Sequence, residues 1–381
     1  MNTQNPKTPK PQNPKCGIKQ RLLVLLKMDK EEILYLGFNQ NAGCFTCGTE
    51  NGFKIYNTYP YKDTFSREFD GGIGIVEMLF RCNILAIVGG GNHPKYPTNK
   101  VMLWDDHQQK CIGELSFKDN VKAVKLRKDK VIVVLETRIY VYNFSDLKLI
   151  DAIETIENPK GLCSVSYAPD KCILACLEKG KGRIKINMYD DVEQEETHSI
   201  EAHNSSVSCI TLNFEGTLLA TASDKGTIIR LFNPATQEAV KELRRGSDKA
   251  EIYSISIDVD TKWLGCTSDK GTVHIFALGK LSIPHLKREI TEEEEVKTDE
   301  VDEKGKPKNN KHIFKFMKKF NKYFDSEWSF AKFRVTDSRT ICAFTKDENL
   351  VVISSDGTYY LARLDTKNGG ECKKIEEKKF V

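Results

Sequence analysis

Two arginines stand side by side in Leu243-Arg244-Arg245-Gly246. Successive side chains on a strand point to opposite faces. A strand lying between two grooves would therefore aim Arg244 into one groove and Arg245 into the other. The planar guanidinium fork suits two-point binding of phosphate oxygens. Gly246 lets the backbone turn there or come close to a ligand. Taken alone, Arg-Arg-Gly is more often a solvated basic edge, so its surroundings decide.

The pentapeptide Ser-Asp-Lys-Gly-Thr occurs on each side of the arginines, at 223–227 and at 268–272. Each copy offers hydroxyls, turn amides and one lysine (Lys225, Lys270), all suited to anionic oxygens. Arg230 follows the first copy, His274 follows the second, and His203 opens the unit that holds the first. A single histidine is more often structural than functional. A cluster of this kind is suited to anionic oxygens.

Other chemistries find little footing. Cys44 and Cys47 form one C-x-x-C, but neither a second cysteine pair nor a histidine pair stands at zinc spacing, and no metal site is expected. Cys163, Cys172, Cys209 and Cys266 sit among β-branched and small apolar residues, as buried thiols do. There is no G-x-S-x-G elbow, Walker lysine or H-E-x-x-H, and Gly89–Gly91 precedes no GK[ST]. An enzyme is not expected, and neither is a cofactor. A net charge of +4 on 381 residues provides no global field for nucleic acid. No apolar run approaches the roughly 18 residues of a membrane span. Residues 1–20, rich in Pro, Lys, Asn and Gln, read as a disordered tail on a cytosolic protein.

The elements that position the cluster follow from a repeat. Runs of β-formers begin at Phe53, Val101, Ile139, Ile184, Ile228, Val273 and Tyr359. Five of the six steps lie close to the roughly 40–45 residues of a four-stranded propeller blade. The sixth is about double, and the segment 279–326 inside it holds no β-run. That segment reads as an insertion in blade 6, which leaves seven blades. Residues 207–227 align without a gap on 252–272. Trp104-Asp105 echoes the dipeptide that often closes a WD-repeat strand. The expected fold is all-β: a closed, WD-repeat-like seven-bladed β-propeller over 21–375. Arg21–Met28 and the last blade are candidates for closing the ring.

The insertion has two halves. Glu292–Glu303 carries eight carboxylates against one lysine and reads as a solvated linker. From Lys306 to Phe324 there are seven lysines and no acid. On a helical wheel Ile313, Phe316, Met317, Phe320, Tyr323 and Phe324 fall within about 120°, with the lysines opposite. A basic amphipathic helix with a Phe-rich face is built to lie in an anionic membrane surface. Packing of that face on the protein itself is the plainer alternative.

At this point the chain resembles the PROPPINs, β-propellers that bind phosphoinositides, called WIPI proteins in animals. Their signature is Phe/Leu-Arg-Arg-Gly, here Leu243–Gly246. The resemblance runs from about Ile33 onwards and includes FSREFDGGIGIVEMLFR (65–81), GGGNHPKYPTNKVMLWDD (89–106), VKAVKLRKDKVIVVLE (121–136) and NPKGLCSVS (158–166). The second and fourth look most like the WIPI-three/four branch. The resemblance implies two phosphoinositide pockets on the propeller rim. The first would use His203, Ser223, Lys225, Thr227, Arg230 and Arg244. The second would use Arg245, Ser268, Lys270, Thr272 and His274. It also implies binding of phosphatidylinositol 3-phosphate and phosphatidylinositol 3,5-bisphosphate, and the role of an adaptor in autophagosome formation. Such an adaptor sits peripherally on phagophore, endosomal or vacuolar membranes and is a monomer in solution. An autophagic lipid-transfer protein or another autophagy factor would dock near blades 2 and 3. The rival class is a generic WD-repeat scaffold without lipid specificity.

Overall fold

The computed structural model describes residues 32–189, 196–279, 326–336 and 338–381. Seven sheets follow one another along the chain, each with four antiparallel strands in sequence order from the axis outward. The seven β-rich runs seen in the sequence are the third strands of the seven blades, from Gly52–Asn57 in blade 1 to Thr358–Arg363 in blade 7. Third strands stand out as runs of β-formers that follow a turn residue, whereas burial on both faces is fullest on the second strands, as in Cys172–Leu177 and Trp263–Ser268. The gapless match of 207–227 on 252–272 extends to backbone detail. In both blades the first strand bulges at the same place, between Val207 and Cys209 and between Ile252 and Ser254.

The first strands of the blades neighbour one another in order around an axial cavity of about 630 Å³, and Thr340–Phe344 of blade 7 returns to Ile33–Phe38 of blade 1. Each pair of adjacent blades encloses an apolar cluster. Alternation along each strand sends one set of side chains to the blade before and the other to the blade after. The lone C-x-x-C illustrates this. Cys44 packs between blades 1 and 2, whereas Cys47 packs between blades 7 and 1, so the two thiols face apart and share no ligand.

Among the described residues, side chains rather than an exchanged strand join blade 7 to blade 1. Phe45 stacks on Tyr56 at 4.8 Å and meets Phe380 edge-on at 5.3 Å. Tyr56 donates to the Phe380 carbonyl at 2.7 Å, and Tyr359 to the Thr58 carbonyl at 2.9 Å. All four strands of blade 7 come from beyond residue 339. Arg21–Met28, the closing candidate, lies outside the described residues, as do the tail 1–20 and the expected helix at 313–324.

The insertion falls between the third and fourth strands of blade 6, Thr272–Ala277 and Ala331–Arg334. Its return limb takes an unexpected path. Glu327–Trp328 pairs in parallel with the outer strand of blade 5, Ala239–Arg244, before the chain crosses to blade 6. Lys241 fixes the limb through an ion pair with Glu327 at 2.9 Å. Gly370–Glu371 covers the edge of blade 6 in the same manner. The two adjacent outer edges are thus paired rather than left open to aggregation.

Loop length is inexpensive in chain entropy, and lost ladder strands are not. Replacing 281–325 with a short linker should leave the melting temperature within a few degrees. Extending the deletion through Arg334 should lower it sharply. A large drop from the shorter deletion would mean that 281–325 belongs to the core.

Candidate phosphate-binding rim

Blade 5 is the hub of the candidate site. Its outer strand carries Leu243, which is fully buried in the cluster shared with Leu264, Cys266 and Phe276 of blade 6. Leu243 therefore faces blade 6. One residue on, Arg244 faces the blade 4 side, which it shares with Glu242. The strand ends at Arg244, and Arg245 turns toward blade 6.

On the blade 4 side, Arg230 donates through Nε to Glu242 Oε1 and through Nη1 to the Ala202 carbonyl, each at 2.8 Å. His203 Nε2 meets Thr221 Oγ1 at 2.9 Å. Arg244 donates through Nε to Ser326 Oγ at 3.0 Å, on the return limb of the insertion. On the blade 6 side, Arg245 donates through Nε to the Gly226 carbonyl at 2.9 Å and through Nη2 to the Asp248 carbonyl. His274 Nδ1 meets Ser329 Oγ at 3.3 Å. A cavity of about 410 Å³ opens here, lined by Thr272, His274, Ser329, Lys332 and Arg334 among others.

The two Ser-Asp-Lys-Gly-Thr stretches form the hairpins at the same end of blades 5 and 6. Gly226 has φ +62°, and a Cβ there would stand 1.9 Å from the Ala250 carbonyl, so only glycine fits. Gly246 differs. Its φ is not positive, and a Cβ would meet nothing within 4 Å, so space is left open beside the arginines.

Three expectations need correction. The arginines sit at the rim but are not exposed there, at 4% and 6%. They hold buried partners, and truncating Arg245 would strand two carbonyls at about 1–3 kcal/mol each. Four of the turn amides are also engaged within the protein: Asp224 donates to Ser206, Gly226 to Ser223, Asp269 to Glu251 and Lys270 to the Ser268 hydroxyl. Ser223 and Ser268 themselves are buried. Finally, the cavity is not lined by Arg245, Ser268 or Lys270. Lys270 instead pairs with Asp269 at 3.1 Å, while Lys225 is exposed at its hairpin tip and Thr227 is half-buried. The sequence reading missed Ser329, Lys332 and Arg334. The signal was present in Ala-Lys-Phe-Arg (331–334), where two cations two residues apart share a face of a strand.

Both histidines are held neutral. Burial pushes His203 down to about 4, helped by the charge of Arg230. Burial likewise pushes His274 down to about 4, helped by Lys332 and then Arg245. An unfolded histidine titrates near 6.5, so between about 6.5 and 4 the unfolded chain takes up protons that the folded chain refuses. Stability contributed above that window is lost as pH falls through it. Replacing both by glutamine should flatten the decline in melting temperature between pH 7 and 5. An unchanged slope would contradict neutral burial.

Comparison with known proteins agrees with this architecture. The PROPPIN family model matches residues 33–381. "Autophagy-related protein 18e" of Arabidopsis thaliana is 36% identical over 354 residues, covering 92% of this chain and 88% of its own length. The solved structure of Kluyveromyces lactis Hsv2 with its complete loop 6CD overlays with a TM-score of 0.70 at 24% identity, covering 92% of this chain and all of the Hsv2 chain. KlAtg21, solved in complex with the coiled coil of AgAtg16, overlays equally well at 23% identity, with 92% and 100% coverage. At such identities the overlays establish the fold, while the family match and the Arabidopsis relative establish kinship: this seven-bladed propeller belongs to the PROPPIN family.

Proposed function

We propose that the chain is a phosphoinositide-binding membrane adaptor of autophagosome formation, without enzymatic activity, that takes one headgroup on each side of blade 5. The observation that carries this reading is the divergence of Arg244 and Arg245 from one strand end into two grooves, each with a histidine. Phosphate is the anion that a guanidinium fork with neighbouring hydroxyls and lysines recognises best. The lipids are phosphatidylinositol 3-phosphate and phosphatidylinositol 3,5-bisphosphate, and the membranes are phagophore, endosomal or vacuolar ones. Family membership supports the lipid class and the autophagic role. The Phe-rich arc of 313–324 adds a third weak anchor, and three anchors on one rim act by avidity.

The partner surface lies near blades 2 and 3, where an autophagic lipid-transfer protein or another autophagy factor would dock. Supporting this, Ile112 on the outer strand of blade 2 and Leu149 and Ile150 on that of blade 3 are exposed. The name of the Atg21–Atg16 complex supports a partner from the autophagy machinery.

Vesicles carrying either lipid should retain the protein, and vesicles of neutral lipid or phosphatidylinositol alone should not. Phe316→Asp with Phe320→Asp should shorten residence on those vesicles and leave binding of the soluble headgroup unchanged. Retention on all vesicles alike, or capture of RNA instead, would favour the generic scaffold.

A further inference from the structure

The outer strand of blade 6 carries two cations that the paired arginines do not account for. Burial alternates along Ala331–Arg334. Ala331 and Phe333 pack into the cluster shared with blade 7, which turns the exposed Lys332 and Arg334 to the opposite face. The ladder sets Lys332 beside His274 and Arg334 beside Thr272, and all four line one cavity with Ser329. Its volume of about 410 Å³ lies in the range of small-ligand sites. Neither cation makes an ion pair among the described residues. The acid of the lining is Glu371, which the parallel ladder sets beside Lys332. His274 is more than nine-tenths buried and meets the Ser329 hydroxyl through Nδ1. Its Nε2 has no hydrogen-bond partner among the described residues. When Ser329 donates to Nδ1, Nε2 of the neutral ring carries the proton and can donate to an anion.

We infer that Lys332 and Arg334, with Thr272, Ser329 and His274, hold a ring phosphate in this cavity and supply the charge of the blade 5–6 headgroup site. This rests on the headgroup reading above. The hairpin lysine of blade 6 does not take that part, because Lys270 pairs with Asp269 and does not line the cavity. A phosphomonoester carries about −1.5 to −2 charge near pH 7. Two cations match that charge, and only Glu371 opposes it within the lining. The arginine fork takes two oxygens of one phosphate, and the ammonium and hydroxyls take those that remain. The cations lie on the return limb of the insertion, some ninety residues beyond the arginine signature, so that signature alone does not disclose them.

The test is calorimetric titration with soluble inositol 1,3-bisphosphate and with inorganic phosphate, beside flotation with vesicles carrying phosphatidylinositol 3-phosphate. The wild type should take two equivalents of the bisphosphate. Lys332→Gln with Arg334→Gln should weaken one equivalent by about tenfold or more and leave the other within about twofold. Glu371→Gln removes the opposing charge and should tighten one equivalent by about threefold. Opposite effects from neighbouring positions on one strand face separate local charge from damage to the fold. Vesicle retention should follow the same signs. Thermal melting checks each variant, and if the double variant does not fold, Glu371→Gln alone decides. Unchanged binding in the folded double variant, or in Glu371→Gln, would overturn the inference and leave the headgroup reading intact. Inorganic phosphate bound as tightly as the bisphosphate, with vesicle retention unmoved in the double variant, would make this a free-anion site and overturn it equally. Wild-type protein that takes up neither the bisphosphate nor the vesicles would overturn both readings.

Discussion

Alternation of side chains along a β-strand is the constraint on which this molecule depends. It sends Leu243 into the cluster shared with blade 6 and Arg244 to the opposite side. Since Leu243 is fully buried, the register of that strand cannot slip by one residue without exposing it and exchanging the two grooves. The positions of the arginines are thus set by hydrophobic packing beneath them. The same rule separates Cys44 from Cys47 and places Lys332 beside Arg334.

The propeller is a ring of apolar interfaces, one between each pair of adjacent blades. Phe45, Tyr56, Tyr359 and Phe380 carry the junction of the last blade with the first. Truncating a buried aromatic of this kind costs about 3–5 kcal/mol, a large part of the roughly 5–15 kcal/mol that holds a domain together. At the far side of the ring, edge strands added to blades 5 and 6 tie adjacent blades through their backbones. The segment 326–334 serves both ends: it completes two sheets, and it touches Arg244 through Ser326 and His274 through Ser329.

Much of this was legible in the residues. Third strands stood out as β-formers following a turn residue, and their spacing gave the blade count. The equivalence of blades 5 and 6 was legible in the gapless match of 207–227 on 252–272, but the first-strand bulge they share was not, and it recurs in blades 1 and 2. The return limb was not legible. Glu327–Trp328 is too short to show periodicity, and its partner strand lies more than eighty residues earlier. Burial of the arginines was equally hidden, since the groups that cover them, Ser326 and the carbonyls of Gly226 and Asp248, carry no sequence signal. The amides of the two turns looked available because sequence does not reveal which carbonyl will stand opposite.

The central claim is that one strand end serves two separate headgroup pockets. Stoichiometry of soluble inositol 1,3-bisphosphate, measured by calorimetry on folded protein, tests it most directly. Two equivalents per chain are predicted for the wild type, and one for Arg245→Gln. A single equivalent in the wild type, or two retained by the variant, would contradict the account.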